Sequence, residues 1–108
     1  MKGALALRQA CQTAKLFMSS TNITTSSWVE LIAALTYAAS GVEVINNSGQ
    51  PLEIAIGGAG SEVAIPYTIP PGGTPGVITQ NIPKGSRISF KAIGATVNSG
   101  YLILNAFQ

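Results

Sequence analysis

The side chains that most enzymes use for catalysis are scarce in this sequence. Its 108 residues include no histidine and no aspartate, one cysteine, Cys11, and four glutamates. Without an imidazole there is no histidine base, no histidine metal ligand and no partner to activate a thiolate at Cys11. We therefore predict a protein that is not an enzyme, with no catalytic residue, cofactor or metal, and with Cys11 as a buried or arm residue.

The clearest local pattern that could bring two carboxylates together is a predicted β-hairpin. Residues 42–45 and 51–56 alternate apolar and polar side chains, and residues 46–50 have the composition of a turn. A register with Val44 opposite Leu52 would keep the apolar side chains on one face.

This register would place Glu43 opposite Glu53, a mildly unfavourable like-charge pair. A cation beside them, Lys91 or Arg87, would relieve the repulsion. A carboxylate pair can carry acid–base chemistry, but both glutamates fall on the polar face of the hairpin and the sequence indicates no cleft. We interpret them as part of a solvated face.

Two other ligand-binding patterns are incomplete. Calcium is held by several carboxylate and carbonyl oxygens that converge on one loop, whereas Glu62 stands alone. The glycine-rich run at residues 57–60 lacks the Lys-Ser/Thr and the helix that follow in phosphate-binding loops. We interpret both as structural parts of a turn.

Four aromatic residues could stack on sugar rings, as in carbohydrate-binding modules of sandwich fold. They are Trp28, Tyr37, Tyr67 and Tyr101. Because they are few and Trp28 lies among apolar residues, core packing or a contact between subunits is the preferred interpretation. A carbohydrate- or surface-binding module remains the alternative function of another class.

The low charge of the chain favours assembly with other subunits. Only 9% of residues are charged, against about 25% in an average globular protein. Soluble monomers usually cover their surfaces with mixed charge, whereas the cores of protein interfaces are depleted in charge. The net charge of +2 is small and scattered, which argues against a nucleic-acid partner.

The first residues do not predict a membrane anchor or a leader. The apolar stretch at residues 3–7 is interrupted by Arg8, short of the apolar core of a signal peptide. The sequence contains no apolar run long enough to span a membrane. We expect residues 1–18 to be an N-terminal arm, with a short helix possible over the first twelve residues, and residues 19–108 to be one β-sandwich domain.

Turn-forming residues divide the rest of the chain into short strands. Residues 28–35 fit either a helix or a strand, and their β-rich surroundings favour the strand. Pro66 restricts residues 65–69 to an edge strand or an extended loop. Turns are predicted at residues 38–41, 83–86 and 98–100. The sequence thus predicts an all-β fold, an antiparallel β-sandwich or jelly roll of seven or eight short strands.

The pattern of residues 19–107 resembles a group of small β-sandwich proteins encoded among the structural genes of tailed bacteriophages. The segments that carry the likeness are 21–31, 41–49, 52–57, 60–62, 70–73, 82–89 and 99–105.

This resemblance implies a virion structural protein with no enzymatic residues. The leading expectation is a capsid decoration (cement) protein that stabilises the head through protein–protein contacts, and the alternative is a tail or head-fibre accessory protein. The implied partners are further copies of the chain and the major capsid protein or other virion proteins, with no nucleic acid, membrane or small-molecule substrate. The expected location is the virion, after assembly in the cytoplasm of the bacterial host.

Overall fold

The computed structural model describes the backbone of residues 13–17 and all of residues 21–108. Apart from one 3₁₀ turn at Ser99–Tyr101, the regular structure in this part of the chain is β-strand, which confirms the predicted fold class. The strands are β1 Thr13–Phe17, β2 Asn22–Ile23, β3 Val29–Ile32, β4 Ala39–Asn46, β5 Leu52–Gly57, β6 Val63–Ile69, β7 Gly76–Ile82, β8 Arg87–Ala92, β9 Val97–Asn98 and β10 Leu102–Phe107.

The strands pair as one long antiparallel ribbon folded about the turn between β5 and β6. β1 pairs with β10, β2 with β9, β3 with β8, β4 with β7 and β5 with β6. The ribbon wraps into a first sheet of order β1-β10-β4-β7 and a second sheet of order β3-β8-β5-β6. Eight strands of four or more residues in this arrangement form a jelly roll, and β2 and β9 make a short pair of their own.

The core lies between the two sheets and is built from every second residue of the strands. In β10, Leu102, Leu104 and Ala106 are buried, and Ile88, Phe90 and Ala92 of β8 face them from the second sheet. Alternation of this kind places one set of side chains inside and the other on an outer face, although Ser89 of β8 and Ala55 of β5 are buried as well. The alternating sequence of residues 87–92 predicts Ile88, Phe90 and Ala92 as the inward side chains, and their burial confirms it.

The predicted hairpin of residues 42–56 is wrong. β4 belongs to the first sheet and β5 to the second, so the two strands lie in opposite sheets around the core. Val44 and Leu52 are both fully buried, as predicted, but neither strand pairs with the other. Alternation shows that a strand has one apolar face, but it does not show whether the next strand joins the same sheet or the opposite one.

Asn46 makes the connection that carries the chain from one sheet to the other. Its buried side chain donates from Nδ2 to the Gln50 carbonyl at 2.7 Å and accepts from the Ser48 amide at 3.0 Å. The Ser48 hydroxyl also donates to Asn46 Oδ1 at 2.6 Å. The Asn46 side chain thereby provides hydrogen-bond partners for two backbone groups of the short loop between β4 and β5.

Two other strand assignments are confirmed. Val29–Ile32 is β3 at the edge of the second sheet, so the strand interpretation of residues 28–35 holds over these four residues and the helical one does not. Pro66 lies in β6 at the opposite edge, where no ladder hydrogen bond is needed on its outer side. The turn predicted at residues 38–41 is displaced, because Ala39 already begins β4.

At the N-terminus, β1 is the edge strand of the first sheet. It lies within the segment predicted to be an arm, and Lys15 pairs with Asn105 of β10. Residues 1–12, including Cys11 and the possible short helix, lie outside the described residues. The division into an arm and a domain at residue 18 stays a prediction.

Candidate functional site

The outer face of the second sheet is charged. Lys91 on β8 is paired in register with Glu53 on β5, and its Nζ lies 3.8 Å from Glu53 Oε2. The same ammonium group lies 5.0 Å from the centroid of the Trp28 ring, within range of a cation–π contact. The Glu43–Glu53 pair that such a cation was expected to relieve does not form, but Lys91 does lie beside Glu53.

Arg87 is the second cation of this charged face. Its Nε lies 2.9 Å from Glu30 Oε2 and forms an ion pair with it. The angle at the Nε–H group does not meet the requirement for a hydrogen bond. Its Nη1 lies 3.7 Å from Glu62 Oε1, which accepts a hydrogen bond from the Gly60 amide at 2.6 Å. Glu62 therefore stabilises the turn between β5 and β6, in line with its structural interpretation.

The outer face of the first sheet has the opposite character. Its apolar side chains lie on three strands: Ile103 pairs with Ile45, and Val77 and Phe107 complete the set. Val77 is 51% exposed and the other three are partly exposed. We call the surface formed by Ile45, Val77, Ile103 and Phe107 the apolar face.

Phe107 lies flat on this sheet because its neighbour has no side chain. A Cβ atom at Gly41 would come within 2.5 Å of Phe107 Cζ and 2.6 Å of the Ile78 carbonyl oxygen. Both distances are below any tolerated contact, so the ring occupies the space that a side chain at Gly41 would need. The register shift between β4 and β7 occurs beside this position.

Asn105 lies in the middle of one row of paired positions across this sheet. Asn105 on β10 is flanked by Glu43 on β4 and by Lys15 on β1. Among the described residues, the buried Asn105 Oδ1 accepts no hydrogen bond, and no described cation forms an ion pair with Glu43. A buried acceptor without a donor is costly.

The two glutamates considered as a carboxylate pair are not brought together. Glu43 lies on the apolar face and Glu53 on the charged face, on opposite sides of the sandwich. In residues 13–17 and 21–108, no group of three or more Cys, Asp, Glu or His side chains is placed to hold a metal ion. No helix in the same part of the chain is long and apolar enough to cross a membrane.

The sequence matches no protein-family profile and no curated protein. Among solved structures, one similar chain is in the crystal structure of Drosophila melanogaster CENP-C bound to CAL1. The two chains share 11% sequence identity with a TM-score of 0.37, over 89% of this chain and 59% of that one. This chain therefore spans less than two thirds of that structure, and a likeness at this level does not establish a shared fold.

The aromatic residues do not lie in the core as a group. Tyr37 is partly buried and packs against the core, and its hydroxyl donates to the Ala106 carbonyl. Trp28, Tyr67 and Tyr101 are 37%, 40% and 62% exposed. Trp28 precedes β3, Tyr67 is on β6 at the far edge of the same sheet, and Tyr101 is in the 3₁₀ turn before β10. They occupy three separate places on the surface.

The residues of the apolar face were not identified from the sequence, although a signal was present. β10 reads Leu-Ile-Leu-Asn-Ala-Phe, and residues 42–45 of β4 also have adjacent apolar residues. A strand with apolar residues at both odd and even positions is typical of a strand that is buried on both faces. Applied to β4 and β10, this rule indicates strands with apolar side chains on both faces.

Proposed function

We propose that this chain is a bacteriophage virion structural protein, most specifically a capsid decoration protein that stabilises the head through protein–protein contacts. The observation that carries the proposal is the apolar face, an outer sheet surface with Ile45, Ile103 and Phe107 in a chain with few charges. Jelly rolls occur in viral capsid proteins and also in lectins, so the fold alone does not choose between functions.

The two outer faces support a role between a shell and the solvent. The charged face keeps Glu30, Glu53, Arg87 and Lys91 in ion pairs that water can solvate. The apolar face offers surface that gains about 25 cal/mol for each Å² removed from water. A decoration protein needs one surface of each kind, because it is held by one side and exposed on another.

A decoration protein is present in many copies, so a weak contact between each copy and the shell is sufficient to stabilise the head. A decoration protein spans the junctions between capsid subunits, so opening of the shell has to break its contacts as well. Each copy contributes a small interface, and many symmetric copies act together with an affinity well above that of one contact. The chain would assemble on the particle in the bacterial cytoplasm.

Electron cryo-microscopy of the particle that carries this chain tests the proposal. We expect a small two-sheeted body at repeated positions on the outside of the head, and heads without the chain should release DNA at a lower temperature. Density in the tail or in a fibre would instead establish the accessory role. Absence of the chain from purified virions would refute both.

A carbohydrate-binding module is the second candidate, favoured by the exposure of Trp28, Tyr67 and Tyr101. Stacking of a sugar ring on Trp28 would change its fluorescence and displace Lys91 from the ring. Titration with a panel of glycans measures this directly. A saturable change that is lost in Trp28→Ala, but kept in Tyr101→Ala, would favour the sugar-binding function over the structural one.

A further inference from the structure

We infer that the charged face carries a binding site for a neutral glycan, formed by one row of side chains that crosses the second sheet from edge to edge. The row consists of Trp28, Lys91, Glu53 and Thr68. The inference rests on the second candidate function and deepens it, because it names the site and the class of ligand. It is compatible with the structural role, since it concerns the surface of the sandwich opposite to the apolar face.

The register of the second sheet aligns the row. Lys91 on β8 pairs with Glu53 on β5, and Glu53 pairs with Thr68 on β6. Residues in register lie on the same face of a sheet, so these three side chains share the outer face. Trp28 directly precedes β3, and the centroid of its ring lies 5.0 Å from Lys91 Nζ. The four side chains therefore follow one another across the sheet.

Trp28 supplies a flat apolar surface at one end of the row. The residue is 37% exposed, so part of it is open to a ligand. A pyranose ring has an apolar face of C–H groups, which an indole ring can cover while the polar groups of the sugar stay free. The Lys91 ammonium group is carried on a flexible four-carbon stem and can move aside as the sugar ring stacks.

The polar side chains of the row have hydrogen-bonding capacity to spare. Lys91 Nζ and Glu53 Oε2 are 3.8 Å apart, which is longer than a hydrogen bond. Within the part of the chain that the structure describes, neither group makes a side-chain hydrogen bond, and neither does the exposed Thr68 hydroxyl. An ammonium group only donates, a carboxylate only accepts and a hydroxyl does both. Neighbouring sugar hydroxyls can therefore accept from Lys91 and donate to Glu53.

The length of the row indicates an oligosaccharide. Neighbouring strands lie about 4.8 Å apart, so the row is about 14 Å long and accommodates about three pyranose rings laid end to end. A single sugar would cover Trp28 and leave Glu53 and Thr68 without a ligand. A chain that lies across the strands would contact all four side chains.

The charges around the row indicate a neutral ligand. The ion pairs of the charged face join three glutamates, Glu30, Glu53 and Glu62, to Arg87 and Lys91. An acidic sugar would meet this excess of carboxylates, and a cationic one would have to displace the two basic side chains. A neutral hydroxyl group bonds to either kind of charge without disturbing the ion pairs.

The test measures the binding of soluble oligosaccharides to the full chain by isothermal titration calorimetry. The probes are neutral oligomers of glucose, mannose and N-acetylglucosamine, from monosaccharides to hexasaccharides, with oligogalacturonates as the acidic counterparts. Affinity should rise with each added ring up to about three rings and then level off, as the length of the row requires. Oligogalacturonates should bind more weakly than neutral oligomers of the same length.

Variants of the row locate the site. Trp28→Ala should weaken binding roughly tenfold, because it removes the stacking surface. Glu53→Gln and Thr68→Val should each weaken it about threefold, because each loses hydrogen bonds to the sugar. Tyr101→Ala removes an aromatic residue that is 62% exposed in the turn before β10 and should leave affinity unchanged. If Trp28→Ala fails to fold by circular dichroism, Thr68→Val still decides, because its side chain is exposed.

The possible failures are distinguishable. Absence of binding to every oligosaccharide at millimolar concentration would overturn the inference and the second candidate function together, and would leave the structural role untouched. Binding that is lost in Tyr101→Ala and kept in Trp28→Ala and Thr68→Val would overturn the row as the site and keep the sugar-binding function. Full affinity for a monosaccharide would overturn the extended row, and a preference for oligogalacturonates would overturn the neutral class of ligand.

Discussion

Glu43 and Glu53 lie on opposite outer faces of the sandwich, although only nine residues separate them. Glu43 is in register with Asn105 on the apolar face, and Glu53 is in register with Lys91 on the charged face. The connection built by Asn46 makes this possible, because it passes the chain from one sheet to the other. Two carboxylates of similar local sequence thereby acquire different surroundings.

Replacement of Lys91 by alanine should lower the free energy of unfolding by about 0.5–1.5 kcal/mol. The variant loses both the ion pair with Glu53 and the contact with the Trp28 ring. Urea unfolding followed by Trp28 fluorescence measures the change. Glu53→Gln removes only the ion pair and should cost less, and Lys84→Ala, at an exposed turn, should change nothing measurable. Equal effects at Lys91 and Lys84 would contradict the assigned contacts.

Gly41→Ala should destabilise the protein by about 1–3 kcal/mol, the usual cost of forcing an extra group into a filled space. The added methyl group would meet the Phe107 ring and the Ile78 carbonyl. Thermal unfolding provides the measurement. Gly58→Ala is the matched control, because a Cβ there has no atom within 4 Å. If the two variants have the same unfolding temperature, the Phe107 ring does not lie over Gly41 in solution.

Asn46→Asp should destabilise the protein by more than about 2 kcal/mol at neutral pH. The change removes the Nδ2 donor and directs a buried carboxylate at the Gln50 carbonyl. Burial raises the pKa of the introduced carboxyl group above its unfolded value, so the penalty is present at neutral pH and shrinks as the pH falls below the folded-state pKa.

Urea unfolding of this variant and of the wild type at several pH values tests the sign. The difference in stability between them should decrease toward acid pH. Asn81→Asp, on the exposed side of β7, should show no such trend. A constant penalty across the pH range would mean that the side chain at position 46 is solvated.

Arg87→Ala should loosen the turn between β5 and β6 and cost about 1 kcal/mol at low salt. The variant leaves Glu30 and Glu62 without their shared cation, and Glu62 holds the Gly60 amide. Hydrogen exchange at Gly60 should accelerate more than exchange in the core strands. Added salt should reduce the loss of stability, because it screens the remaining carboxylates. A salt-independent effect would point to lost packing of the arginine stem.

Much of the fold can be predicted from particular residues. Alternation in β8 identifies Ile88 and Phe90 as core residues, and Pro66 restricts its strand to an edge. Both conclusions rest on the chemistry of single residues: side chains in a strand alternate between two faces, and proline has no amide hydrogen to donate. The pairing of strands cannot be predicted in this way. The apolar residues of β4 do not indicate which strand will be its neighbour in the sheet or which will lie in the opposite sheet.

The candidate surface was harder to predict than the fold. Ile45, Ile103 and Phe107 read as ordinary strand residues until β4 and β10 are known to be neighbours in one sheet. Within residues 21–108 no further layer covers that sheet, which leaves these side chains partly exposed, and layering depends on the fold of the whole molecule. The sequence does contain one local indication of this surface, because β10 has apolar residues at both odd and even positions.

Propensity and alternation act over a few neighbouring residues, so they are enough to predict an all-β chain with little charge and an apolar face on most of its strands. The folded structure was needed to place β4 and β5 in opposite sheets, to bring Glu53 next to Lys91 and to pair Asn105 with Glu43. Those relationships join residues far apart in the chain, and they arise from which sheet each strand enters when the ribbon folds around its core.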